Sequence, residues 1–205
     1  MINFYIFRHG QTDVNKAGRF QGCGINFPLN REGVRQAELT ALLLADKKLD
    51  VIYTSPLERA VQTANIVSGA KIPVIEKIAF REGNFGFAEG KTKSDLESSI
   101  PEIFTKWRDM KEELMHVRFP NGESKREIQE RFVKGMEKLF QTKYKNIGIS
   151  SHGGAILFFL MSYGIQAKLP NGGIIHLVVK DGKVEYKGLL EPSKGMIMSS
   201  DDRGR

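Results

Sequence analysis

Three short apolar runs constrain this chain more than any other feature. Residues 2–7 (INFYIF), 50–54 (DVIYT) and 146–150 (NIGIS) each read as a buried strand, and segments of helical periodicity lie between and after them. Strands that alternate with helices pair in parallel, and a parallel sheet needs helices over its faces. The pattern therefore predicts an α/β sandwich around a mostly parallel sheet. Such sheets present ligands at the C-terminal ends of their strands.

Spacing and caps place the helices. Val34, Ala37, Ala41 and Leu44 recur at three- and four-residue steps and predict a helix over 30–46. In residues 55–67 (SPLERAVQTANIV), Ser55 reads as N-cap, Pro56 as first helical residue and Glu58 as capping-box partner. Leu57, Ala60, Val61, Ala64 and Val67 would form the inner face of that helix. A further strand is expected at 72–76, and residues 83–120 are irregular apart from a short helix around Glu102–Glu113. Ser124 with Glu127 opens a second boxed helix reaching about Lys143, with Ile128, Phe132, Met136 and Leu139 inward. Residues 153–164 are an apolar helix, and 174–190 a hairpin turning at Asp181-Gly182. The whole reads as one domain over 1–192 with a loose tail at 193–205.

Composition narrows the partners. Apolar residues make up 40% and charged residues 27%, which supports a real core and excludes a disordered chain. Lys and Arg outnumber Asp and Glu by 31 to 24, a net +7 that suits an anionic partner. The basic residues are spread along the chain rather than clustered in a stripe with aromatics, so nucleic acid is not expected. No run approaches the roughly 18 apolar residues of a membrane span, and the N-terminus has no apolar leader. The lone Cys23 can form no internal disulfide, and no zinc-ligand spacing occurs. A cytoplasmic location is the expectation, with no membrane partner; a homodimer stays open.

The strand ends carry the chemistry. The first run stops at Arg8-His9-Gly10, the second at Thr54-Ser55 with Arg59 just beyond, and the third at Ser151-His152-Gly153-Gly154. If these strands are neighbours, two histidines and two arginines converge on one crevice. Paired guanidiniums clamp a phosphate through forked donors. A neutral imidazole can attack phosphorus, and adjacent Arg charges favour the neutral form. Gly10 would let the loop turn closely around the oxyanions. With the charge supplied by side chains, no metal and no cofactor is required. A leaving alkoxide also needs a proton, and Glu82, in AFREGNFGFAEG, is the candidate donor. His116 and His176 read as structural, and Cys23 as a small loop residue.

Taken together, RHGQTDVN, FQGCGINFPLNREGVRQA, YTSPLERAVQTA, REGNFGFAEG, FPNGES and SSHGG, in that order, resemble the phosphoglycerate mutase-like branch of the histidine phosphatase superfamily over residues 4 to about 190. The resemblance implies a three-layer α/β/α sandwich and a metal-free reaction on a small-molecule phosphate ester. It implies His9 as the phosphorylated nucleophile, Arg8, Arg59 and His152 as the phosphate pocket, and Glu82 as general acid and then base. Asn15, Gln21, Gly22 and Gly153 match positions that contact the phosphoryl oxygens or the substrate. The arginines should hold Glu82 ionised, and a bound phosphate, with about two negative charges, should restore its proton. The chain departs from the common pattern at Asn26, in GFAEG, and in the apolar helix after SHGG, which lacks a frequent Arg.

Only 36 residues lie between Glu82 and Phe119. So short an insert, expected to cover the substrate over 83–120, leaves the pocket open to water. That favours a phosphatase over a mutase of the same family, and both over a non-catalytic binding module. Lys91, Lys93, His116, Arg118, Phe85, Phe87 and Trp107 supply the candidate mouth residues. Phosphosugars, phosphoglycerates, nucleotides and ribazole phosphate all stay open as substrates.

Overall fold

Alternation along the first strand divides the molecule into layers. In the computed structural model, which describes residues 1–191, that strand is β1 (Ile2–Arg8). The elements that follow are α1 (Asp13–Lys16), α2 (Arg31–Leu44), β2 (Val51–Thr54), α3 (Glu58–Ser68), β3 (Val74–Glu76), α4 (Lys93–Ser99), α5 (Pro101–Arg108), α6 (Lys125–Glu137), β4 (Asn146–Ser151), α7 (Gly153–Met161), β5 (Ile174–Lys180) and β6 (Lys183–Leu190). Phe4 and Ile6 face one way, into a core shared with α6, α7 and residues of the 83–120 segment. Tyr5 and Phe7 face the other way, against Leu44 of α2 and Ala64 and Val67 of α3. Period-two alternation in a strand buried on both sides produces this division.

The six strands form one sheet in the order β3-β2-β4-β1-β5-β6. β3, β2, β4 and β1 pair in parallel, whereas β5 and β6 run antiparallel at one side. This is the three-layer α/β/α sandwich that the sequence implied. β4 lies between β1 and β2, with Arg8 beside Ser151 and Thr54 beside Ser150. The three chemistry-bearing strand ends therefore stop at one level. No described helix is long and apolar enough to cross a membrane. The tail expected at 193–205 lies outside the described residues.

Several local expectations are corrected. The Ser55-Glu58 capping box does not form: α3 starts at Glu58 with Leu57 as N-cap, and the Glu58 N–H donates to Asn26 Oδ1 at 2.8 Å. Ser55 is used elsewhere, as described below. Val34 is exposed on α2, and Gly33, Leu39 and Thr40 join Ala37 and Leu44 inside instead. Gly10 has a packing role as well. A Cβ there would lie 2.1 Å from the Gly33 carbonyl oxygen, so the loop after β1 meets α2 backbone to backbone. The box at Ser124 and Glu127 does form, but α6 ends at Glu137, six residues short of Lys143.

The 83–120 segment holds two helices where the sequence suggested one. α4 opens on a capping box of Thr92 and Asp95, and α5 ends at Arg108 rather than Glu113. The side chain of Lys125, fully buried, ends α5. Its ammonium donates to the carbonyls of Trp107 at 3.0 Å and Asp109 at 2.5 Å, occupying acceptors that a longer helix would use. Lys125→Ala should lower stability by about 3 kcal/mol, because buried carbonyls lose a charged donor. Urea unfolding should show this as a lower midpoint at unchanged slope.

Candidate active site

The shared level of β1, β2 and β4 brings His9, Ser55 and His152 together. The two imidazoles lie with ring centroids 5.0 Å apart. Arg59 enters from the second residue of α3, and Glu82 from the loop after a 3-10 turn at Ile78–Phe80. Arg8, His9, Asn15, Gln21, Gly22, Arg59, Glu82 and Gly153 line one cavity of about 400 Å³. His152 is fully buried behind it, against His9. The structure thus gathers all nine sequence-derived candidates at one place.

Both histidines are held neutral. Burial, then the charges of Arg59 and Arg8, hold the His9 imidazole well below its ordinary pKa. Its Nδ1 lies 2.6 Å from the Gly10 carbonyl, which can only accept, so the proton is assigned to Nδ1. Nε2 then carries the lone pair and accepts from Arg59 Nε at 3.3 Å. His152 is held down by burial first and Arg59 second. Its Nε2 meets Ser55 Oγ at 2.7 Å, and its Nδ1 is buried without a partner. Arg8 Nε is likewise unpartnered, while its Nη1 donates to the Leu169 carbonyl. A buried polar atom left unpaired costs about 1–3 kcal/mol, so both atoms are available to a partner the protein does not supply.

Arg59 is 1% exposed, and burial brings its pKa down to about 10, so it stays charged at neutral pH. Its Nη2 donates to Gly22 O at 2.7 Å and its Nη1 to Ile25 O at 3.2 Å, which fastens the 21–25 loop. The Gln21 side chain closes the same loop, accepting from Thr12 Oγ1 and donating to Ile25 O.

The His-Gly-Gly sequence has a steric reason. A Cβ on Gly153 would lie 3.1 Å from Arg8 Nε, and one on Gly154 would lie 2.9 Å from Glu82 Oε1. The two glycines let a guanidinium and a carboxylate approach the start of α7. Glu82 Oε1 accepts from the Ala155 and Gly83 N–H groups at 2.8 and 3.1 Å, and Oε2 accepts from Gly154 N–H at 3.0 Å. A carboxylate at a helix N-terminus is favoured by the free N–H groups and the helix dipole.

Supporting residues escaped the sequence. Arg131 of α6 donates to the carbonyls of Ala79 and Arg81 at 2.9 and 3.0 Å and pairs with Glu123, which accepts from the Asn84 N–H. This network braces the loop carrying Glu82. Asn171 donates to the His9 carbonyl at 2.9 Å. At the mouth, Phe85, Lys93 and Trp107 line the cavity as anticipated. Lys91, Phe87, His116 and Arg118 do not; Lys91 sits over the Phe87 ring and Arg118 pairs with Glu127. Arg19, Phe20, Leu157, Phe158 and Lys168 line it unannounced. The one available signal was the apolar helix after His152, which supplies Leu157 and Phe158. Among the described residues, no three His, Cys, Asp or Glu side chains converge as metal ligands would.

A sequence model of the histidine phosphatase superfamily, branch 1, matches residues 4–189. A Hydrogenobacter thermophilus protein named phosphoserine phosphatase 2 is 32% identical over 93% of this chain and 97% of its own. The Bacillus subtilis phosphatase PhoE is 33% identical over 74% of this chain and 72% of its own. The solved structure of an Escherichia coli protein described as an alpha-ribazole-5'-phosphate phosphatase superposes with a TM-score of 0.81 at 26% identity, covering 96% of this chain and 99% of that one.

The depressed histidines make the fold acid-sensitive. An unfolded chain takes protons on His9 and His152 as the pH falls through about 6.5, whereas the folded chain refuses them. Their contribution is present above that pH and is lost below it, at up to about 1.4 kcal/mol per pH unit for each imidazole. Unfolding free energies from pH 7 to 5 should fall accordingly, and His152→Asn should flatten that slope.

Proposed function

The chain belongs to the histidine phosphatase superfamily, and we propose that it hydrolyses small phosphomonoesters through a phosphohistidine on His9, without a metal ion. The observation that carries this reading is the state of His9: buried, neutral, and protonated at Nδ1 by its bond to the Gly10 carbonyl, so that Nε2 is the nucleophilic atom.

The reaction runs in two displacements. His9 Nε2 attacks phosphorus, the bond to the alcohol oxygen breaks, and Glu82 supplies that oxygen with a proton. Water then attacks the phosphohistidine, Glu82 takes the proton from water, and the electron pair of the breaking P–N bond returns to Nε2. Arg8, Arg59 and the Nδ1–H of His152 bear the oxygens on which charge gathers. Within Glu82, Oε2 is the oxygen to carry the proton, because it holds one backbone N–H where Oε1 holds two. Asn15 and Gly153 meet the phosphoryl group or substrate directly. Gln21 and Gly22 act through the loop that Arg59 fastens.

The 83–120 segment covers the alcohol side, since Phe85, Lys93 and Trp107 line the same cavity as His9. Return of the phosphoryl group to product, the mutase reaction, is the weaker reading. A lone free thiol supports a reducing cytoplasm as the setting.

Rapid quench in base should trap an acid-labile phosphoryl group on His9, and phosphate release should persist in excess chelator. His9→Ala with normal turnover would sink the mechanism. Glu82→Ala should lower kcat/KM, which reports the first displacement alone, by about 100- to 10,000-fold for alkyl phosphates. It should slow p-nitrophenyl phosphate much less, because that leaving group needs little help; equal losses on both would count against Glu82 as the acid.

A further inference from the structure

Beyond the phosphate pocket the cavity changes character. Phe20 of the loop after α1 meets Phe85, Phe104 and Trp107 edge-on, with centroids 5.6 to 6.3 Å apart. Edge-on packing locks the rings into one wall. Half-buried Leu157 of α7 and the partly exposed Met110 add apolar surface to the same cavity.

Charge at the cavity is one-sided. Among the residues that line it, Glu82 is the only acid, and its oxygens are committed to the start of α7. Arg19 and Arg108 are matched by Asp95 and Glu97, both on α4. Lys93 and Lys168, also lining residues, enter no ion pair among the described residues. A substrate ammonium beyond the leaving oxygen would therefore find rings and cations, the single carboxylate of the cavity being Glu82, which is already held by backbone N–H groups. The Gln21 amide is used at both ends, so it offers a hydroxyl-rich body nothing.

We propose, resting on the phosphatase reading above, that this cavity selects phosphomonoesters of alcohols with a bulky apolar or aromatic body and no positive charge. Phe20, Leu157 and Met110, the lining apolar side chains with free surface, replace water around that body in front of the buried Phe85, Phe104 and Trp107, and the unpaired lysines penalise any ammonium it carries. Amino-acid phosphates, with their obligatory ammonium, are then poor substrates for this chain.

Three primary alkyl esters make the test: 2-phenylethyl phosphate and ethyl phosphate share closely similar leaving groups, and the electron-withdrawing ammonium of phosphoethanolamine makes its alcohol the better leaving group, so a lower rate for it reports on the cavity rather than on bond cleavage. The expected kcat/KM is at least tenfold higher for 2-phenylethyl than for ethyl phosphate, equivalent to about 1.4 kcal/mol, with phosphoethanolamine below both. Leu157→Asp should narrow the gap between the first and the last by lowering one and raising the other. Equal kcat/KM for all three in the native protein overturns the selectivity and leaves the phosphatase reading standing. If none of the three releases phosphate, the phosphatase reading falls, and calorimetry on His9→Ala decides the cavity on its own. Binding of 2-phenylethyl phosphate at least tenfold tighter than ethyl phosphate supports the selectivity, and equal binding overturns it.

Discussion

The hydrogen bonding of β4 between β1 and β2 is the constraint on which the site depends. Because Arg8 lies beside Ser151 and Thr54 beside Ser150, the next residue of each strand leaves the sheet at the same height. His9, Ser55 and His152 are those residues or their immediate neighbours. A register slip of one residue would send every core side chain of the strand to the wrong face. Core packing of Phe4 and Ile6 on one side, and of Tyr5 and Phe7 on the other, therefore also fixes the placement of the chemistry.

The electrostatics follow from that convergence. Two guanidiniums and two imidazoles share a buried volume, and the imidazoles yield by staying neutral. Neutrality leaves His9 with a lone pair on Nε2, and leaves His152 with one nitrogen bonded to Ser55 and one without a partner. The arginines stay charged because backbone carbonyls at Gly22, Ile25 and Leu169 replace part of their hydration. The cationic site is tolerable without a ligand and incomplete without one.

The architecture and the convergence of the candidate residues were legible because local rules govern them. Strand and helix periods give the layers, and the strand-end rule points at His9 and His152. Expectations failed where a distant partner overrode a local one. Ser55, Pro56 and Glu58 spell a capping box, yet His152, almost a hundred positions later, takes the Ser55 hydroxyl, and Asn26 caps the helix instead. The α5 end was misplaced because the ammonium of Lys125 arrives from the next helix. The Thr92-Asp95 box carries a weaker signature, because Asp stands in place of Glu. The mouth residues were half missed because lining a cavity is a property of tertiary placement. Phe20 and Lys168 belong to loops with no pattern of their own.

Glu82 is held by main-chain groups at the start of α7 rather than by side chains. A side-chain partner can be lost to a single codon change, whereas a helix terminus survives almost any substitution further along the helix. Only Gly154, where a Cβ would crowd the carboxylate, is tied to this arrangement by its identity. The remaining positions of α7 are released from guarding the acid. Residues such as Leu157, which lines the cavity, can change there while Glu82 stays in place. The helix that is least typical in composition is therefore the one on which this scaffold can most cheaply evolve a new appetite.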